Sequence, residues 1–498
     1  MTTMSNLASS VEERRSPEMR LLILAIPIMG LTVSRMLMGF IDFVMVSRLG
    51  TEAQAAISPS TMLVFTIACL GMGICIAVQT FAAQAEGRGE PRRAAAYAWQ
   101  SLYLAMVAAV VTAPIALTTP LWLALVAESG NHPPVMAQLE VDYLRIAFWW
   151  VPLGVFSMGL EGFFMGIQRP RIPFIAMVMS LLTNVIGNYL LIFGKFGFPE
   201  LGIAGAAIAT VIGWGVRCGV LLGALLLPEF DRKYGTRHAL AFRWRNLKDL
   251  FKVGSPTSLQ WLVDLGAWLV FLAVIMPRYG VAEAAASNTG MQYMHMSFMP
   301  AIGIGIALCS QVGHAIGAGT PEKAVRQTIA CMRLTGGYMF AMGYFFVAAA
   351  PQLMWLMNHD QDVIDAGHFV LMGAAVFQLF DAMCITYTSA LRGAGDTRTP
   401  ALLFFVCCWA IFIGGGLLVA WLFPSIGLVG PWAMCALYII VLGLLLRARW
   451  GAGHWRKIRL FEEKHPQEQN PPTENVREMP IDQAWTAHEA AESAPTKA

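Results

Sequence analysis

The chain has 498 residues, 57% of them hydrophobic and only 13% charged, far from the roughly quarter-charged composition of soluble globular proteins. Its formal net charge of +3 gives no basic excess of the kind nucleic-acid binding needs. Its nine cysteines all fall in apolar segments with no CxxC, which reads against a disulfide framework or a thiolate metal site.

Twelve apolar stretches are each long enough to cross a hydrocarbon core of about 30 Å as a helix of roughly 20 residues. They run over 19–48, 55–84, 95–126, 137–165, 172–194, 202–228, 248–277, 284–314, 324–350, 363–390, 400–423 and 427–448. The first 20 residues are polar and mixed in charge, unlike the basic start of a cleaved signal, so the first helix is expected to be retained. Basic residues sort the connections. Arg88, Arg92, Arg93, Lys323, Arg398 and the run from Arg232 to Lys248 share one side, against Arg48, Lys195 and Arg278 on the other. The positive-inside rule then predicts a multi-pass protein of the plasma (bacterial inner) membrane with both termini cytoplasmic. The expected organisation is a cytoplasmic segment 1–18, a lobe 19–228 of six helices, a basic linker 229–247, a second six-helix lobe 248–450, and a tail 451–498. Beyond Leu460 the tail is rich in Glu, Gln and Pro, so it is expected to be disordered.

The two lobes are copies. Ala85, Gly87, Gly89, Pro91 and Ala94 recur in order and spacing as Ala315, Gly317, Gly319, Pro321 and Ala324, at an offset of 230. Gly166, Arg171 and Pro173 return near offset 227 as Gly393, Arg398 and Pro400. Six helices return each copy to its starting side, so the repeats are parallel, an arrangement found in secondary transporters. The fold class expected is therefore an all-α integral membrane protein with 12 transmembrane helices in two pseudo-symmetric six-helix bundles.

Ionisable side chains inside such helices need a reason, because one at the bilayer centre costs about 2.5–3.5 kcal/mol on insertion scales. Asp42 lies late in helix 1, Asp264 in mid-helix 7 and Asp381 in the second half of helix 10. Each reads either as a functional carboxylate or as a structurally paired one, and Asp42 alternatively as a residue reaching out to water. Asn184 and Asn188 are one turn apart on helix 5, and Thr210 lies on helix 6. A carboxylate withdrawn from water takes up a proton more readily. The same oxygens, joined by those of the two asparagines and the threonine, suit a sodium ion, since hard cations take several oxygen ligands. Pro27 and Pro256 supply candidate hinges in helices 1 and 7. Glu161 reads as a partner for Arg169 or a helix-end group, and Arg35 as a charge that needs a carboxylate or a water cavity.

With these features assembled, the chain resembles the multidrug and toxic compound extrusion family in its NorM-like branch. The matching text is Met38-Gly39-Phe40-Ile41-Asp42, the loop Gly87 to Pro91 and its copy, Glu161-Gly162 before Arg169-Pro170, and Leu391-Arg392-Gly393. The resemblance implies cation coupling at Asp42, Asn184, Asn188 and Thr210 in the amino-terminal lobe, with Na+ at Asp42, Asn184 and Asn188 as one form of it. It implies a bend at Pro27 and a substrate or ion role for Asp381. Helix 7 departs from the branch, which carries glutamate where this chain has the shorter Asp264. Arg35 departs too, and is expected to face the central cleft, pair with Asp264 or Asp381 and modulate ligand selection there. The implied activity is efflux of organic, often cationic, drugs in exchange for H+ or Na+ by alternating access. No cofactor beyond the coupling ion is implied, and the expected partners are membrane lipid and an amphipathic organic cation, taken up by a monomer.

Two other readings carry less of the sequence. A flippase or exporter of lipid-linked or metabolic precursors from the same superfamily needs a cationic cavity, whereas Arg35 is the lone mid-helix arginine early in the chain. An intramembrane aspartyl protease is suggested by Gly393-Ala394-Gly395-Asp396, but the Tyr-Asp partner such enzymes require is missing from the sequence.

Overall fold

The computed structural model describes residues 16–128 and 133–461, among which there is helix and connection but no strand. The spans are α1 (Pro17–Ser47), α2 (Thr51–Gly87), α3 (Pro91–Ala124), α4 (Pro134–Ala147 and Trp150–Gly166, bent by 43°), α5 (Arg171–Ile192) and α6 (Gly202–Leu225). There follow α7 (Trp244–Arg278), α8 (Val281–Gly317), α9 (Pro321–Met357), α10 (Gln361–Ala394), α11 (Arg398–Leu422) and α12 (Val429–Gly451). All belong to one compact unit that ends at Ile458. Of the expected terminal segments, residues 1–15 and 462–498 lie outside the described residues.

Local chemistry sets the helix ends. Ser16 caps α1 by accepting the Met19 N–H at 3.2 Å, with Pro17 at the first helical position, where its missing N–H costs nothing. At the other end of the repeat unit, α2 and α8 stop in the same way. Glu90 N–H reaches back to the Ala85 carbonyl and Thr320 N–H to that of Ala315, both at 2.9 Å, across Gly89 (φ +71°) and Gly319 (φ +70°). This six-to-one closure needs a left-handed residue, which explains why these two glycines survive in both copies.

The lobes pack as the repeat predicts. α1 lies on α5, α5 on α6, α2 and α3 on α4; in the second lobe α10 packs on α8, α9 and α12, while α11 packs on α7 and α12. On α1 the exposed residues Val33, Leu37, Phe40 and Val44 form an apolar stripe, and buried Leu31 and Met38 lie on the opposite face. Pro27 sits within an unbroken α1; having no N–H, it leaves the Ile23 carbonyl without its intrahelical donor. The second lobe adds a feature with no sequence signal. α7 and α11 contain π-helical turns, Phe271–Ile275 and Cys407–Gly415. They bring Phe271 to 4.8 Å from Phe412, which stacks on Tyr438 at 5.5 Å.

The lobes meet along α1–α8 and α2–α7, and where the end of α2 crosses α8. Glycines allow the approach: a methyl group on Gly73 would strike Ser258, and one on Gly254 the backbone of Ile74. Gly205, Gly303 and Gly305 likewise sit close against Leu191, Met29 and Ser389, while Gly202 supplies a φ of +53° at the start of α6. Among the described residues, the hydrogen bonds between lobes lie at, or on the glycine-loop side of, the helix midpoints. The outermost is Thr32 to the Met299 carbonyl at 3.2 Å. Nearer the loops, Gln79 donates to the Ile306 carbonyl and to Ser310, both at 2.8 Å, and Thr80 and Gln84 donate to the Arg392 and Gly393 carbonyls at 3.0 Å. The seam is quasi-symmetric. A methyl on Gly87 would run into the His314 carbonyl, and one on Gly317 into that of Gln84, the residue that matches His314 in the repeat. Among the described residues, no hydrogen bond joins the lobes between Thr32 and the end opposite the glycine loops.

Candidate functional site

In the amino-terminal lobe the structure brings Asp42, Asn184, Asn188 and Thr210 together. The Asn188 amide donates to Asp42 Oδ1 and lies 3.4 Å from Asn184 Oδ1; the Asn184 amide donates to Thr210 Oγ1 at 3.3 Å, and Thr210 Oγ1 is 3.4 Å from Asp42 Oδ2. Both asparagines are fully buried, while Asp42 keeps partial exposure. Asp42 therefore turns into the lobe and does not reach outward past Arg48, because its two oxygens meet Asn188 and Thr210. Asn188 Oδ1 is buried without a hydrogen-bond partner, an acceptor left open beside a carboxylate. Tyr143 of α4, bonded to Thr61 at 3.2 Å, stands close enough to Asp42 for their charges to interact.

A second polar layer lies below the first. Arg35 Nη2 is 3.2 Å from both Glu161 oxygens, and Arg217 also donates to Glu161 Oε2. Arg217 is 1% exposed and Glu161 6%. The Arg217 guanidinium sits 4.9 Å over Trp214, which stacks on Trp150 at 5.1 Å. α1 supplies Asp42 and Arg35, and α6 supplies Thr210 and Arg217, each pair seven residues apart and so on one helix face, about 10 Å along the axis. Two expectations are corrected here. Arg35 pairs with Glu161, not with Asp264 or Asp381, because α1 turns this face into its own lobe. Glu161 is taken by two arginines, and Arg169 instead lies 3.6 Å from Glu229.

The carboxy-terminal lobe holds Asp264 on α7 and Asp381 on α10, near enough for their charges to interact, both partly exposed. The Trp268 indole lies one turn along α7 from Asp264. Cys408 and Tyr438 also lie within electrostatic reach of Asp264, so this pair of acids has an apolar, aromatic wall. Asp396 of the protease-like motif is engaged elsewhere, in an ion pair with Arg449 Nη2 at 2.8 Å and Nε at 2.9 Å.

Sequence reasoning found the upper layer whole but not its extension. Tyr143 is an ordinary tyrosine in a stretch full of aromatics and carries no signal. Arg217 carried one: it stands seven residues after Thr210, as Asp42 stands seven after Arg35.

The family model MatE matches residues 27–190 and 265–415. The probable multidrug resistance protein NorM of Rhizobium meliloti (strain 1021) is 30% identical over 458 residues, 88% of this chain and 93% of that protein. The multidrug resistance protein MdtK of Pectobacterium atrosepticum is 28% identical over 421 residues, 82% and 90% of the two chains. Among solved structures, one of MATE in complex with MaL6 superposes with a TM-score of 0.80 at 21% identity, over 89% of this chain and 98% of that one. An outward-facing multidrug resistance MATE family transporter of the MOP superfamily gives 0.78 at 21% identity, over 90% and 98%. At that identity the likeness shows the fold.

Proposed function

The chain belongs to the MatE family of multidrug efflux transporters, and from that premise we propose that it works as a secondary antiporter, exporting organic compounds in exchange for H+ or Na+. The observation that carries this reading is the oxygen cluster of the amino-terminal lobe. Asp42 is the one ionisable member of a ring whose other members, Asn184, Asn188 and Thr210, are neutral and buried. The open acceptor of Asn188 beside it is what a set of ligands for a small hard cation requires, and a protonated Asp42 would find the same acceptor. The coupling ion is thus a substrate of this cluster, and either ion uses the same atoms.

Asp264 and Asp381, in the other lobe and walled by aromatic residues, suit the cationic end of an amphipathic compound. Ion and substrate then bind in different lobes, and rocking of the lobes about their seam exposes both to opposite sides in turn. The basic connections support an orientation with the glycine loops and both termini in the cytoplasm of a bacterial cell. One positive charge moved against 100 mV costs about 2.3 kcal/mol, and one entering cation recovers the same amount. A one-for-one exchange with a monovalent cation therefore runs on the chemical gradient alone.

Reconstitution into liposomes tests the reading: efflux of a fluorescent organic cation is followed under an imposed proton or sodium gradient, for the wild type, Asp42→Asn and Asp264→Asn. Gradient-driven efflux that Asp42→Asn uncouples is the expected result. If neither gradient moves dye and both variants match the wild type, the antiporter reading fails.

A further inference from the structure

We propose that His314 and Glu86 form a proton-operated latch across the glycine-loop end of the seam: a protonated His314 pairs with Glu86 and holds the lobes shut there, and a neutral one lets go. The repeat supplies the first reason. At offset 230 His314 stands where the amino-terminal lobe has Gln84, and Gln84 ties α2 to the opposite lobe through the Gly393 carbonyl. An amide that never titrates is thus answered, in the other copy, by an imidazole that has no hydrogen-bond partner among the described residues. Histidine is the side chain whose charge changes in the physiological pH range.

The second reason is what faces the imidazole. Glu86 is the chain neighbour of Gly87, whose added methyl would run into the His314 carbonyl, so carboxylate and imidazole flank one tight backbone contact between the lobes. Glu86 Oε1 takes Lys233 Nζ at 2.5 Å, while Oε2 is buried and has no hydrogen-bond partner. The charged groups within electrostatic reach of His314 are Glu86, Lys233 and Lys323. Both lysines are exposed, Lys233 at 55% against 16% for Glu86. Solvent therefore screens them more than it screens the carboxylate, and Glu86 holds a proton on the imidazole. Lys233 is itself fixed to the amino-terminal lobe. Its linker helix, Pro228–Tyr234, buries Phe230 against Phe164 at 5.4 Å and Tyr234 against Phe163 at 5.3 Å, and the Trp99 indole donates to the Thr236 carbonyl at 2.7 Å. Glu86 is thus presented from one lobe and His314 from the other. On the efflux reading this end faces the cytoplasm, and the latch rests on that reading for its physiological direction alone. Protons carried inward by exchange would tighten it, so that turnover slows as the cell interior acidifies.

The test follows the seam without transport. Cys309, fully buried beside Thr80, is alkylated by a maleimide in the reconstituted protein at about pH 5.5 and about pH 8, either side of the ordinary histidine value of about 6.5. Dividing the wild-type rate by that of His314→Gln, or of Glu86→Gln, at the same pH cancels the thiol's own titration. His314→Gln installs the residue that the other copy already uses at this position. The latch is complete below the titration of the imidazole and lost above it. The ratio should therefore rise about tenfold from the lower pH to the higher, the worth of one hydrogen bond to a charged group. A ratio that stays flat or falls, against whichever variant assembles, overturns the latch. So does a rise against His314→Gln that is missing against Glu86→Gln, since the histidine then has another partner. Gradient-driven dye efflux from the same liposomes separates the two readings. Efflux with a flat ratio leaves the transporter standing and removes the latch; a rising ratio without efflux keeps the latch and overturns the efflux reading.

Discussion

Replacing Gly317 by alanine should loosen the seam that joins the lobes. The new methyl meets the Gln84 carbonyl, so α8 must move away from α2 by roughly the 1 Å that restores van der Waals contact. That displacement breaks the Gln84 bond to the Gly393 carbonyl and stretches the Gln79 bond to the Ile306 carbonyl. At about 1 kcal/mol for each net hydrogen bond, the seam loses about 2 kcal/mol, a shift of roughly thirtyfold toward separated lobes. The protein carries its own reporter. Cys309 is fully buried and lies 3.9 Å from Thr80 in the seam, so its alkylation by a maleimide, located by mass spectrometry, follows the fraction of molecules with the seam open. Gly319→Ala is the control. It faces empty space and has φ +70°, so it costs about 1 kcal/mol of local strain without prying the helices apart, and Cys309 should label as in the wild type. If Gly317→Ala labels no faster than the wild type, or Gly319→Ala accelerates labelling as much, the seam is not what holds this end shut.

Asn188→Ala removes both the donor to Asp42 and the open acceptor, so the concentration of driving ion needed for half-maximal efflux should rise about tenfold, the equivalent of one charge-assisted bond. The dye concentration dependence should stay put; a change in the dye term alone would locate substrate, not ion, at Asn188. Glu161→Ala leaves Arg217 buried without a counter-charge and should cost about 3–5 kcal/mol, read as a drop in the thermal unfolding midpoint in detergent. Glu161→Ala combined with Arg217→Met should recover most of that loss, and equal midpoints for the single and double variants would contradict the account.

Twelve spans and their pairing into copies were legible because hydropathy and repeated glycines report directly on lipid contact and backbone geometry. Asn184 and Asn188 were legible as a polar pair one turn apart among apolar neighbours, but their union with Asp42 and Thr210 followed from the family resemblance and not from spacing. Arg35 and Glu161 were each noticed, yet assigned to wrong partners, because sequence gives the face of a helix and not the neighbour that face meets. Arg35 was sent across the cleft to Asp264 or Asp381, and Glu161 down its own chain to Arg169, when the two meet each other. The π-helical turns of α7 and α11 had no signature, since an extra residue in a helical turn follows from the packing of Phe271, Phe412 and Tyr438 together and not from any local run.

The triad also bears on how the protein is made. Glu161 follows Arg35 by 126 residues and precedes Arg217 by 56, so during synthesis the three charges reach the membrane one at a time. Each, alone in lipid, costs about 2.5–3.5 kcal/mol on insertion. Arg35 gains its carboxylate only when α4 arrives, and α6 brings Arg217 to a partner already in place. A span of the amino-terminal lobe inserted alone would have to offset its charge from its own apolar residues, and pairing removes that cost. Its last helix completes the ion pairing begun by its first, and the biosynthetic unit is the whole lobe.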